Sequence, residues 1–344
     1  MFLNIKIEFH INIHFKGCKK CLRHDTSLIK AKDFCTLAEQ HVESLRNQRS
    51  PSTIENYLTA LRSFRSFLAL TNAKVYLDAD IFEKYEHCLK NAKLKPNTTS
   101  CYMRSLRSLA IRILGDEARK MFCKVYTGRA VTEKRSMPVE NFVSLRSLVL
   151  KPGSSLAFTR DLFLFSFYAM GMPFVDMAFL RRDQISNGQL SYYRHKTGQY
   201  ISVNIEPCMQ DIISRYEVSD SNYVFPLLST NNPVVAYAEY LLALNRYNRI
   251  LKQLAKKAGL TCKLTSYTAR HSWASAAFSN NVDMPVISKA LGHANPRNTL
   301  IYIRQLSDEQ LSAANHRLLD LILKKLGRNK KSVLIQRKHL IQPH

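Results

Sequence analysis

The stretch from Thr265 to Arg304 constrains the fold most, because helix starts and helix stops alternate along it at short intervals. Thr265 can cap a helix that carries Arg270, His271 and Trp273, the chain's only tryptophan, on adjacent turns. Asp283 can cap a second short helix that stops at Gly292. Asn295 followed by Pro296 is an N-cap with proline at the first helical position. Tyr302 then falls about two turns into a helix of its own, beyond His293. The rest of the chain reads as support for this stretch.

A chain of 344 residues with 46% apolar content can bury the cores of two ordinary domains. Its 51 Lys and Arg against 26 Asp and Glu leave a net charge of +25, which points to a polyanionic partner held through phosphate contacts. A ribosomal or membrane-surface protein would carry the same surplus, so charge fixes only the sign of the partner. The eight cysteines are scattered, the usage of a reduced cytosolic protein. Cys18 and Cys21 form half a zinc ligand set with no second half nearby, so neither metal nor cofactor is expected. The longest uncharged run, Leu162 to Val175, contains Gly171 and Pro173 and suits a buried helix better than a membrane span. No secretory signal is evident, and a cytoplasmic, nucleoid-associated bacterial protein is the expectation.

Apolar and polar residues alternate strictly from Leu3 to Lys16, so residues 1–31 are either an added β element or an extension outside the working fold. From Lys32 the period becomes helical. Pro51 opens a helix in which Ile54, Leu58, Leu61 and Leu68 share a face while Arg62 and Arg65 project elsewhere. After Pro96, Leu106, Leu109 and Ile113 point one way and Arg104, Arg107 and Arg112 the other. A first domain is expected over 32–120, a linker of mixed charge, Gly and Pro over 121–137, a second domain over 138–325 and a basic tail over 326–344. Within the second domain, Leu190 and Tyr192 on one strand and Tyr200, Ser202 and Asn204 on another flank a turn at Lys196 to Gln199. A long helix from Val234 to Ala258 ends at Gly259, and Ser307 to Gln310 is a capping box for an amphipathic helix with Leu311, Leu318 and Ile322 on one side.

The wording A-R-H-x-x-A at Arg270, L-G-H ending in His293 and T-x-x-Y ending in Tyr302, preceded by the K-T-G turn of Lys196, resembles the tyrosine recombinase (phage integrase) family. The likeness covers roughly residues 35–325 and is closest to the Bacteroides-type branch. It implies a mainly α protein with a small β component: an N-terminal helical core-binding (SAM-like) domain and a mixed α/β catalytic domain of the DNA breaking-rejoining type. It also implies a site-specific recombinase on double-stranded DNA, working as a homo-oligomer, a tetramer on paired sites, with room for accessory DNA-bending proteins and no membrane. The helical domain would clamp the duplex, which makes Arg62, Arg65, Arg104 and Arg107 candidate DNA contacts. The C-terminal segment would dock on a neighbouring subunit.

The residue types suit that chemistry. A tyrosine hydroxyl has a pKa of about 10, so Tyr302 needs a base or nearby cations to attack a phosphodiester. The resulting 3′-phosphotyrosyl bond conserves the phosphodiester energy, so ATP and metal are not required. Arg270, with its planar fork, suits the nonbridging oxygens, and His293 would donate to the same phosphate. By resemblance, Lys196 is the general acid for the departing 5′ oxygen. Tyr267 stands where most of the family has histidine or lysine and could donate through its hydroxyl. His271 is a second donor or a structural neighbour of Tyr302, and Trp273 reads as core.

One departure stands out. The family's first arginine, three or six residues before the acid at Asp176, is replaced here by Pro173 and Met170, neither of which binds phosphate. Arg160, Arg181 and Arg182 are candidates to replace it. The competing readings are a catalytically impaired homologue that only binds its DNA site, and a regulator in which Pro285 to Tyr302 serves as a helix-turn-helix.

Overall fold

The computed structural model describes residues 29–71, 75–130 and 136–295, together with Thr299 and Leu319. The chain divides into two units, Met1–Thr132 and Glu133–His344, each with its own buried apolar cluster. Among the described residues it is mostly helical with one three-stranded antiparallel sheet, as expected.

The first unit packs α1 (Ala31–Ser44), α2 (Pro51–Leu70), α3 (Ala79–Asn91) and α4 (Pro96–Leu114). Proline occupies the first turn of α2 and of α4, where a missing N–H costs nothing. Asp78 caps α3 by accepting from the Ile81 amide at 2.8 Å. Phe64 of α2 meets Phe82 and Tyr85 of α3 with ring centroids 5.4 and 5.0 Å apart, which anchors these helices around one aromatic centre.

Part of the expected linker, 121–137, packs on the first unit. Met121, Phe122 and Val125 are buried in the first core, and Phe122 lies 4.1 Å from Phe82 between ring centroids. The buried carboxylate of Glu86 accepts from the Tyr126 amide at 2.9 Å. Asn97 exchanges two hydrogen bonds of 2.9 Å with the backbone of Ala130. Three apolar side chains hidden among charges thus hold this segment on the first unit.

The second unit is built on α6 (Ser155–Tyr168), flanked by α5 (Val139–Arg146) and the long α9 (Pro233–Lys257). Leu162, Phe163, Leu164 and Phe165 are all buried, so the apolar run lies inside the core. Among the described residues no helix is long and apolar enough to cross a membrane. After α6 the chain reverses through Met170 and Gly171, both at positive φ, into the short α7 (Phe174–Ala178). The sheet follows: β1 (Ile185–Ser186), β2 (Gln189–Tyr193) and β3 (Tyr200–Asn204), in that order. Register pairs Leu190 with Val203 and Tyr192 with Ile201, and these four face the core. Beyond α8 (Pro207–Arg215) and α9 come α10 (Thr268–Ser279) and α11 (Met284–Ala290).

The start of α10 differs from the expectation. Tyr267, not Thr265, is the N-cap residue and its side chain makes no capping bond. The Thr265 hydroxyl is engaged instead with that of Thr268, 3.1 Å away, in the turn before the helix. Asp283 does precede α11, without a side-chain capping bond. Trp273 packs with Ala274, Ile287 and Leu291 between α10 and α11. Pro296, Tyr302, the capping box from Ser307 with Leu311, Leu318 and Ile322, and Cys18 and Cys21 lie outside the described residues.

Candidate active site

The C-terminal end of α11 organises the site. A helix ends with backbone carbonyls that lack intrahelical partners and carry partial negative charge. Here the carbonyls of Leu291 and Gly292 are taken up by side chains from elsewhere in the unit. Arg270, in the first turn of α10, donates from Nη2 to the Leu291 oxygen at 2.5 Å and from Nη1 to the Gly171 oxygen at 3.0 Å. Arg194, just past β2, donates from Nη1 to the oxygens of Leu291 and Gly292 at 2.9 and 3.0 Å. Thr197 adds its hydroxyl to the Gly292 oxygen at 2.9 Å.

Two buried guanidiniums, 1% and 6% exposed, are therefore held side by side against one helix terminus. Two glycines allow the close approach. A Cβ on Gly171 would stand 2.9 Å from the Arg270 Cα, and one on Gly292 would stand 2.8 Å from Ile201 Cδ1 and 3.0 Å from Arg194 Cδ. Both glycines also have positive φ.

Asp176 secures the hairpin from below. Its buried carboxylate accepts from the His195 amide at 2.9 Å and lies 3.8 Å from Arg194 Nε. The loop from Arg194 to Gln199 closes with the Arg194 amide donating to Gln199 at 2.9 Å, and Gly198 takes positive φ to complete it. Lys196 is exposed on this loop.

His293 follows directly after Gly292. Its Nε2 lies 3.2 Å from Arg270 Nη2 and its Nδ1 2.8 Å from Thr299 Oγ1. Burial first, then the positive charges of Arg270, Arg194 and Lys196, push its pKa down to about 4, so the ring is neutral at pH 7.

Arg270 and His293 thus meet, and Lys196 stands on the hairpin loop whose neighbouring Thr197 reaches the Gly292 carbonyl. Tyr267 and His271 form a separate contact at the start of α10, with ring centroids 6.2 Å apart, and Tyr267 is 46% exposed. Tyr302 lies outside the described residues.

The arginine that sequence reasoning missed is Arg194. Arg160 is committed to Asp161 and the Leu148 carbonyl, Arg181 to Asp183, and Arg182 to Glu217 and the Val218 carbonyl. None of the three joins Arg270. The missed signal was proximity in sequence: Arg194 precedes Lys196 by two positions on the one hairpin already recognised.

In the first unit, Arg62 is ion-paired with Glu55, and Arg65 with Glu39 at 2.8 Å. Arg107 donates to Thr127 at 3.2 Å, and Arg104 is half-buried on α4. Exposed ion pairs of this kind are worth about 0–1 kcal/mol. A cleft of about 970 Å³ in the second unit, lined by Phe158, Tyr216, Leu228 and Tyr247, shares no residue with the Arg270 cluster. Among the described residues no group of three metal-ligating side chains occurs.

Residues 154–309 match the phage integrase family and residues 33–111 match the phage integrase SAM-like domain. Among curated relatives, tyrosine recombinase XerC of Halalkalibacterium halodurans is 22% identical over 275 residues, 77% of this chain and 90% of that one. XerC of Lactobacillus leichmannii is 25% identical over 78% of this chain and 93% of that protein. In fold, the chain is similar to the Tn1549 transposon integrase in complex with circular intermediate DNA, with a TM-score of 0.61 and 14% identity over 83% of this chain and 99% of that one. It is similar also to a lambda integrase dimer bound to a core site, with a TM-score of 0.59 and 13% identity over 80% and 95% of the two chains. The two matched regions together cover about two-thirds of the sequence, and the chain belongs to the phage integrase family of tyrosine recombinases.

Proposed function

We propose that this protein cleaves and rejoins DNA at specific sites through Tyr302, with Arg270 and Arg194 as the two guanidiniums of the phosphate site. The observation that carries this reading is the convergence of Arg270, Arg194, His293 and the Lys196 hairpin on the Leu291–Gly292 turn. In the DNA-free protein both arginines are held by backbone carbonyls, and Arg194 also by the Asp176 carboxylate 3.8 Å away; a phosphate anion outcompetes the partial charge of the carbonyls.

In the reaction, the Tyr302 oxygen attacks the scissile phosphorus. The tyrosine proton passes to solvent, the bond from phosphorus to the 5′ oxygen breaks, and that oxygen takes a proton from Lys196. The products are a 3′-phosphotyrosyl enzyme and a free 5′ hydroxyl. Attack by the 5′ hydroxyl of a second strand reverses the step, releases Tyr302 and leaves the number of phosphodiester bonds unchanged. The guanidiniums meet the charge that builds on the nonbridging oxygens, and His293 supplies a neutral hydrogen-bonding group beside them.

The impaired, binding-only reading rested on Met170 and Pro173. Arg194 removes its motive, since a second guanidinium reaches the same turn from the hairpin. Strand exchange further calls for a tetramer on paired sites, with accessory DNA-bending proteins where the sites lie apart, in the bacterial cytoplasm near the nucleoid. The surplus of +25 supports the DNA partner, with Arg62, Arg65, Arg104 and Arg107 on the first unit as its phosphate contacts.

The test is strand exchange between two labelled duplexes carrying the binding site, selected from a random pool, in EDTA and without ATP. Exchanged product from the wild-type protein and none from Tyr302→Phe supports the assignment. Binding without exchange by the wild-type protein overturns it.

A further inference from the structure

Thr299 is fully buried, and its Oγ1 contacts Nδ1 of His293 at 2.8 Å. The other ring nitrogen, Nε2, faces Arg270 Nη2 at 3.2 Å. The two partners are chemically unequal. A guanidinium only donates, so while Arg270 holds Nε2 the ring carries its proton on Nδ1 and gives it to Thr299. A hydroxyl donates as readily as it accepts, so Thr299 is able to hold the ring in either tautomer.

We infer that Thr299 is a positioning residue that lets His293 change tautomer when a phosphate takes Arg270 from it, turning Nε2 from an acceptor into a donor. The inference deepens the reading of this site as a DNA cleavage centre and rests on it.

The physical need is specific. Once a phosphate oxygen lies between Arg270 and His293, a bare lone pair on Nε2 would face an anion, which is repulsive. Gaining a second proton is opposed by burial and by Arg270, Arg194 and Lys196, which already hold the ring neutral. Moving the one proton keeps the charge unchanged: a proton leaves Nδ1 for solvent, another reaches Nε2 from solvent, and the Thr299 hydroxyl turns to donate to Nδ1. Water cannot easily replace that hydroxyl at a buried position. Thr299 also stands three positions before Tyr302 in the sequence, so the residue that orients the histidine is close in sequence to the nucleophile.

The test reads the ring directly. Full-length protein carrying ¹⁵N-labelled histidine is compared without DNA and with the selected duplex, in the uncleaving Tyr302→Phe background. The expected result is an Nδ1–H tautomer for His293 without DNA and an Nε2–H tautomer with it. In parallel, Thr299→Val, which keeps the shape and loses the hydroxyl, is expected to slow cleavage on the order of tenfold, the effect of one lost hydrogen bond, with DNA affinity unchanged. Thr299→Ser is expected to restore both the rate and the switch. A ring that stays Nδ1–H with DNA bound overturns the inference, as does Thr299→Val cleaving at the wild-type rate or Thr299→Ser failing to rescue a folded protein. Adduct formation by the wild type reports separately on the cleavage reading, so the two failures are distinguishable.

Discussion

Arg194 and Arg270, one on a β hairpin and one on a helix, donate to the same carbonyl oxygen, that of Leu291, at 2.9 and 2.5 Å. The Asp176 carboxylate, 3.8 Å from Arg194, offsets one of the two buried cations, and the remaining positive charge stands ready for an anion. Arg194→Ala is expected to reduce the rate of DNA cleavage on the order of 10²–10³, as loss of one oxyanion donor does. Arg194→Lys is expected to rescue poorly, because an ammonium lacks the planar fork that grips a phosphate through two parallel hydrogen bonds. Single-turnover cleavage on a labelled duplex measures both.

The glycines that let the arginines approach should be intolerant of a methyl group. Gly171→Ala places a Cβ 2.9 Å from the Arg270 backbone, and Gly292→Ala crowds Ile201 and Arg194, each at positive φ. Each is expected to cost about 1–3 kcal/mol of stability through overpacking, and to lower cleavage further by moving an arginine. Thermal unfolding alongside cleavage separates the two effects.

His293 makes stability depend on acid. Its pKa falls from 6.5 in the unfolded chain to about 4 in the folded one, so between these values the unfolded state binds more protons. Stability from this group is therefore present above pH 6.5 and is lost as the pH falls toward 4. Replacing His293 with Gln, which cannot titrate, is expected to flatten the dependence of Tm on pH across that window. An equal slope in both proteins would assign the acid sensitivity to other groups.

On the first unit, Arg62 and Arg65 would each exchange an acidic neighbour, Glu55 and Glu39, for a phosphate when DNA binds. Each alanine substitution is expected to weaken binding to all duplexes alike and to reduce the salt slope of log Kd by about 1, since one phosphate contact is lost. Titrations at several salt concentrations check this. A change confined to one DNA sequence would point to base reading instead.

Glu86 holds the end of the first unit. Its carboxylate, 5% exposed, accepts the Tyr126 amide and pairs with Lys90. Glu86→Ala leaves that amide without its partner and is expected to destabilise the first unit by about 1–3 kcal/mol. Denaturant unfolding followed by probes in each unit would locate the loss.

Much of this was legible from residue order, and the exceptions have physical causes. Proline and glycine punctuation placed α2, α4, α9 and α11, because these residues act on the backbone locally. The hairpin followed from alternation around Lys196 to Gln199, and the motifs singled out Arg270 and His293, which lie 3.2 Å apart. Arg194 was missed because its role depends on tertiary contact with Leu291 and Gly292, which no local pattern encodes. Met121, Phe122 and Val125 are spaced without a period, so their burial within the expected linker could not be read from repetition. Thr265 resembled a cap, but the hydroxyl of Thr268 competed for it.

The most direct measurement is covalent trapping on a nicked suicide duplex, with wild type, Tyr302→Phe and Arg194→Ala compared after denaturation. A protein–DNA adduct is expected from wild type, none from Tyr302→Phe, and one that forms far more slowly from Arg194→Ala, with the modified peptide containing Tyr302. An adduct that forms at the wild-type rate in Arg194→Ala, or no adduct from wild type despite tight and salt-sensitive binding, would contradict a cleavage centre built on Tyr302 and the two arginines.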